Sequence, residues 1–203
     1  MILNIKYYIS AIIISIILIL SCAQNSYAQE IDFGDYSSAY SIALSELNIG
    51  EDLDFGLLIQ NEGVVNIPIA DSKVMTIQGV KYLDVIVDIT ADASLLLNGD
   101  LLCINDPSCS IPYTLMASYA NNGTNTFSEA VNFTVSSNIA SAQFPTKRRP
   151  VGPPRPPPTP VYKGYNPNIY LETAYLYIYG SLNVGNVNAG SYTGNITVSI
   201  SYD

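Results

Sequence analysis

The chain ends in an alternation that leaves few options for its fold. Ile196, Val198, Ile200 and Tyr202 interleave with Asn195, Thr197, Ser199 and Ser201. Successive side chains of a strand point to opposite faces, so the apolar set shares one face and the polar set the other. Such a strand needs a core under its apolar face and a partner along its edge. The same signature recurs upstream, where Leu83, Val85, Val87 and Ile89 alternate with Asp84 and Asp88. One buried and one wet face is the mark of an antiparallel sheet.

Strand-like runs separated by turn residues are predicted over residues 40–47, 53–59, 64–69, 74–78, 82–90 and 93–97. Others are predicted over residues 111–119, 126–135, 169–184 and 192–202. Asn98-Gly99 and Asn122-Gly123 supply turn signals between them. Nothing after Ala28 combines helical periodicity with caps. Many short strands at regular spacing predict an all-β sandwich.

Composition agrees. With 12% charged residues, 48% hydrophobic residues and sixteen tyrosines, the chain has the makings of a folded β protein. Its net charge is −9, which argues against nucleic acid as a partner. The cations are segregated: Lys147, Arg148, Arg149, Arg155 and Lys163 cluster, and after Ala28 only Lys73 and Lys81 lie elsewhere.

The residues that carry catalysis are largely missing. Without histidine there is no Ser-His-Asp or Cys-His machinery. No phosphate-binding or dinucleotide fingerprint follows a strand. Glu51, Asp52 and Asp54 offer oxygen ligands, but not in the spacing of a calcium loop, and read as a solvated turn. No catalytic residue, metal or cofactor is expected.

The N-terminus reads as an export signal. Lys6 precedes the apolar run of residues 11–20, and Ser26-Tyr27-Ala28 suits cleavage after Ala28. Lipidation of Cys22 is the competing outcome, since Ile19-Leu20-Ser21-Cys22 loosely resembles a lipobox. Cleavage places the protein in the periplasm, at the cell surface or outside. Lipidation would tie it to a membrane. Cleavage after Ala28 leaves Cys103 and Cys109, an even count that predicts a disulfide in an exported protein. A zinc site is the weaker alternative, because two cysteines without histidine make a poor ligand set.

The expected organisation is a signal peptide (1–28), an N-terminal extension (29–39) and one sandwich (40–203). A proline-rich basic loop (145–161) interrupts the sandwich, because its prolines lack the N–H groups a ladder needs. It is either a basic arm or a tolerated insertion. Tyr175, Tyr177 and Tyr179 share one face at period two, as an aromatic contact surface or as ordinary cross-strand packing.

Two segments resemble pilin-like secreted domains, among them chaperone–usher pilins, spore coat protein U and an uncharacterised bacterial family related to it. One is Asp52-Leu53-Asp54-Phe55-Gly56. The other runs from Leu182-Asn-Val-Gly185 through Gly190 to the terminal strand with its penultimate Tyr202. The resemblance implies an incomplete immunoglobulin-like (pilin-like) β-sandwich, non-enzymatic, serving as a surface structural or adhesive subunit. Its partners would be a periplasmic chaperone and identical or related subunits, joined by addition of a strand. Gly190, Ile196, Val198, Ile200 and Tyr202 would form the contact. The alternative is a self-contained, lipid-anchored module that binds glycan or protein.

Overall fold

The computed structural model describes residues 40–149 and 171–203. Ala28, Cys22, the 29–39 extension and residues 150–170 lie outside them. In chain order the strands are β1 (Ala43–Glu46), β2 (Gly63–Ile67), β3 (Lys73–Val80), β4 (Asp84–Ala91), β5 (Ser94–Leu97) and β6 (Ser110–Ala120). Then come β7 (Val131–Asn132), β8 (Thr134–Ser136), β9 (Ile139–Pro145), β10 (Leu171–Val184), β11 (Tyr192–Thr193) and β12 (Ile196–Tyr202). The protein is all-β: two antiparallel sheets face each other across one core, with short 3-10 turns and no α-helix among the described residues. No described helix is long and apolar enough to cross a membrane.

The larger sheet runs β1-β3-β10-β6-β5-β11, with β2 beside the second half of β10 and β7 beside β6. The smaller sheet runs β12-β4-β9-β8. The core forms where the alternations meet. Val85, Val87 and Ile89 of β4 face Ile77, Leu115 and Leu176 of the larger sheet, all fully buried. Each such side chain contributes about 1.5–3 kcal/mol relative to exposure.

β10 is the spine of the larger sheet. Ala174, Leu176, Ile178 and Leu182 point into the core. On its opposite face Tyr177 is also buried, its hydroxyl donating to Asn125 Oδ1 at 2.7 Å. The Tyr179 and Ser118 hydroxyls lie 2.9 Å apart. Tyr177 and Tyr179 are therefore packed and hydrogen-bonded, so the cross-strand packing alternative holds for them.

Three expected strands are broken. Residues 53–59 form an irregular extended segment: Asp54 Oδ1 accepts the Gly56 N–H at 2.8 Å, and Gly56 turns at φ 71°. Residues 126–135 split into a 3-10 turn at Phe127–Glu129, then β7 and β8. Residues 192–202 split into β11 and β12 at Gly194-Asn195. In the last two cases the chain leaves one sheet for the other. Its hydrogen-bond partners change, although its composition does not. β9, which composition does not signal, fits between β4 and β8.

A small polar cluster holds the crossing points. Asp92 N–H donates to the Asn195 carbonyl at 3.0 Å, and Asp92 Oδ2 accepts the Asn195 N–H at 2.8 Å. Asn138 reaches the same corner from the β8–β9 turn, its Nδ2 donating to the Asp92 carbonyl at 3.0 Å.

Cys103 and Cys109 are joined by a disulfide, with Cα atoms 5.3 Å apart. The bridge packs with Leu96 and Leu97 in a small second cluster. The Ser108 backbone and hydroxyl both donate to Asp106, which holds its carboxyl below the usual range.

Pro145 closes β9, and Thr146 is fully buried. The Thr146 N–H donates to the Leu83 carbonyl at 2.9 Å, and its hydroxyl to the Val80 carbonyl at 2.5 Å. Lys147 pairs with Glu172 at 2.8 Å and Arg149 with Asp84 at 3.2 Å. Residues 145–149 thus belong to the sandwich and not to the expected loop, whose remaining residues lie outside those described.

Candidate functional site

β12 is an edge strand, and among the described residues β4 alone pairs with it. The register decides which of its backbone groups are committed. Asp203 N–H bonds the Asp84 carbonyl, and Asp92 N–H bonds the Asn195 carbonyl. Residues of an antiparallel pair alternate between exchanging bonds and pointing away. Thr197, Ser199 and Ser201, opposite Thr90, Asp88 and Ile86, therefore bond β4. Ile196, Val198 and Ile200 point their N–H and C=O groups to the open side. The same three residues send their side chains toward the core, where they remain only half-buried.

The open side overlooks a groove of about 760 Å³ between the sheets. Leu44 of β1, Met75 of β3 and Ile178 of β10 form one wall; Ile196 and Val198 form the other. Leu53 and Phe55 lean in from the irregular segment, and Phe55 meets Tyr113 edge-on at 6.1 Å. The rim is acidic, with Glu46, Glu51, Asp52, Asp54 and Asp92 around a single cation, Lys73. Lys73 is committed locally. Its Nζ lies 3.2 Å from Glu46 Oε2 and donates to the carbonyls of Asn48 and Glu51, pinning the loop after β1. The Gly50 N–H, and then Lys73, hold the Glu46 carboxyl below its usual range.

Tyr202 anchors the C-terminal end of β12. Its hydroxyl accepts the Val80 N–H at 2.8 Å and donates to the Ser41 carbonyl at 3.0 Å. The clasp ties the edge of the smaller sheet to the end of β3 and to the chain entering β1. Burial pushes the Tyr202 phenol up, against the pull of the Val80 bond. The packing is tight, since a Cβ on Gly79 would stand 2.9 Å from the Tyr202 hydroxyl. Tyr202→Phe should cost about 1–3 kcal/mol, because it leaves the Val80 N–H unpaired. A urea midpoint equal to wild type would show that the clasp is idle.

Gly190 lies apart from this groove, at φ 157°, where a Cβ would come 2.3 Å from Leu97 Cδ1. It borders a second cavity of about 590 Å³ with Leu53, Phe55, Gly56, Leu182 and Tyr192. That cavity gathers residues of both segments on which the pilin resemblance rests, distant in sequence and adjacent in space. Cys103 and Cys109 line neither cavity. Sequence reasoning missed the acidic rim as a unit and the Tyr202 clasp. Glu51, Asp52 and Asp54 were visible, but nothing local joins them to Glu46 and Asp92. No set of metal-ligating side chains occurs among the described residues.

No protein-family model and no curated protein matches the chain. It is similar to a solved chain from a chaperone-tip adhesin complex of CFA/I fimbriae biogenesis, at 16% identity and a TM-score of 0.38. The match covers 82% of this chain and 43% of that one, so this chain spans less than half of the solved one.

Proposed function

We propose that the protein is an exported, non-enzymatic surface subunit, structural or adhesive, that joins its partners by accepting a strand along β12. One observation carries this reading. The outward backbone groups of Ile196, Val198 and Ile200 border a groove with apolar walls between the sheets. An added strand would satisfy those groups and place alternate side chains in the groove. The partners that fit are a periplasmic chaperone and identical or related subunits. Localisation at the surface or in the periplasm follows from the proposed export signal.

Proline substitution separates strand addition from folding. Val198 directs its N–H away from β4, whereas Ser199 directs its N–H toward it. Proline is tolerated on an edge strand when the missing N–H faces outward. Wild type should give a ladder of oligomers in mild detergent, and Val198→Pro should keep a native circular dichroism spectrum and lose that ladder. Ser199→Pro should lower the melting temperature far more. Unchanged ladders in folded Val198→Pro would reject strand addition at β12.

A further inference from the structure

The groove is selective by charge. We infer that it takes a strand bearing lysine or arginine beside its apolar residues, and that it disfavours this chain's own 29–39 segment. The inference rests on the strand-addition reading and adds the chemistry of the partner. Five carboxylates, all on exposed residues, ring the groove against one ammonium, and that ammonium is already bound to Glu46 and two carbonyls. A strand entering between Asp54 and Asp92 runs along this acidic rim. Exposed charges interact modestly one pair at a time and are screened by salt, so the selection comes from several like charges acting together and is greatest at low ionic strength.

The chain's own extension is the obvious occupant by position, since the described chain begins at Tyr40 beside the Tyr202 clasp. It has Ile31 and Phe33 in alternation. It also carries Glu30, Asp32 and Asp35 and no cation. Placing three more carboxylates among five is repulsive, and like charges brought together at an interface reject a partner. A strand with the same apolar pattern and basic intervening residues would be attracted instead. This chemistry points to a basic segment other than this chain's N-terminal extension as the added strand.

The test uses the full chain and two fluorescent peptides read by anisotropy. One peptide is residues 29–39; the other carries Glu30→Lys, Asp32→Lys and Asp35→Lys. The basic peptide should bind at least about 10-fold tighter at low salt, with the gap closing near 1 M, where the Debye length falls to about 3 Å. Neutralising the rim with Glu51→Gln, Asp52→Asn and Asp54→Asn should erase most of the gap. Equal or tighter binding of the native peptide would overturn the charge selection and leave strand addition standing. Equal binding of a basic peptide carrying Ile31→Ser and Phe33→Ser would show unspecific attraction and overturn it too. If neither peptide binds, the full chain is retested with Ile31→Ser and Phe33→Ser. Binding regained there means that the native segment fills the groove, which overturns this inference alone. Continued absence of binding overturns strand addition at β12 itself.

Discussion

Asn138→Ala is expected to lower stability by about 3–5 kcal/mol, close to the whole stability of a weak domain. The residue is buried in the turn between β8 and β9. Its Oδ1 accepts the Leu115 N–H at 2.9 Å. Its Nδ2 donates to the carbonyls of Tyr113 at 2.8 Å and Asp92 at 3.0 Å. Its own carbonyl accepts the Ala91 N–H at 3.0 Å. One side chain thus ties β6 in one sheet to the corner where β4 leaves the other. Alanine would strand a buried N–H and two carbonyls, at about 1–3 kcal/mol for each unsatisfied group. It would also have to hold φ 58°, which asparagine tolerates better than alanine. Asn138→Asp is the control: it keeps the acceptor for Leu115 but faces both carbonyls with an oxygen. It should be at least as damaging near neutral pH. Urea denaturation with an unchanged slope is the measurement, and a loss below about 1 kcal/mol for Asn138→Ala would show that the corner is held by other contacts.

Gly180→Ala should be nearly as severe. Gly180 sits mid-strand in β10, opposite Leu115 of β6. A Cβ there would lie 2.3 Å from the Thr114 carbonyl oxygen and 2.7 Å from the Tyr113 ring. The ring crosses the glycine so that the Tyr113 hydroxyl can donate to the Tyr179 carbonyl at 3.0 Å. Burial of that phenol pushes its pKa up to about 12. A methyl group could displace the ring, but the Thr114 oxygen belongs to the neighbouring strand and cannot yield without shifting β6. Overpacking of this kind costs about 1–3 kcal/mol and sometimes more; contact with the backbone puts this case at about 3 kcal/mol or above. Tyr113→Phe, which loses only the hydroxyl, should cost about 1 kcal/mol. A double-mutant cycle with Tyr113→Ala locates the strain. Recovery of Gly180→Ala to the level of Tyr113→Ala would place the conflict in the ring and contradict the backbone argument.

The candidate site divides in the same way between local and distant causes. The apolar face of β12 is legible in the alternation of Ile196, Val198, Ile200 and Tyr202, because side-chain direction in a strand is set by neighbours in sequence. That its outer edge overlooks an apolar groove is not legible. The open edge and the groove depend on β4 taking one edge of β12 and on β1 lying across the gap. The acidic rim is likewise assembled from β1, the loop after it, and the corner at Asp92, with up to 46 positions between Glu46 and Asp92.

By itself the sequence determined the all-β class, the alternating faces of β4, β10 and β12, and the spacing that lets Cys103 and Cys109 close a small loop. These are short-range properties: pleat, turn chemistry and the reach of a side chain. Only the tertiary structure decided where strands end and which sheet they join. Residues 126–135 and 192–202 keep strand-like composition while they cross between sheets, and Ile139–Pro145 becomes a strand because β4 and β8 flank it. Backbone hydrogen bonds in a sheet are made between residues far apart in the chain. The roles of Asn138, Gly180 and Tyr202 therefore exist only once their distant partners are in place.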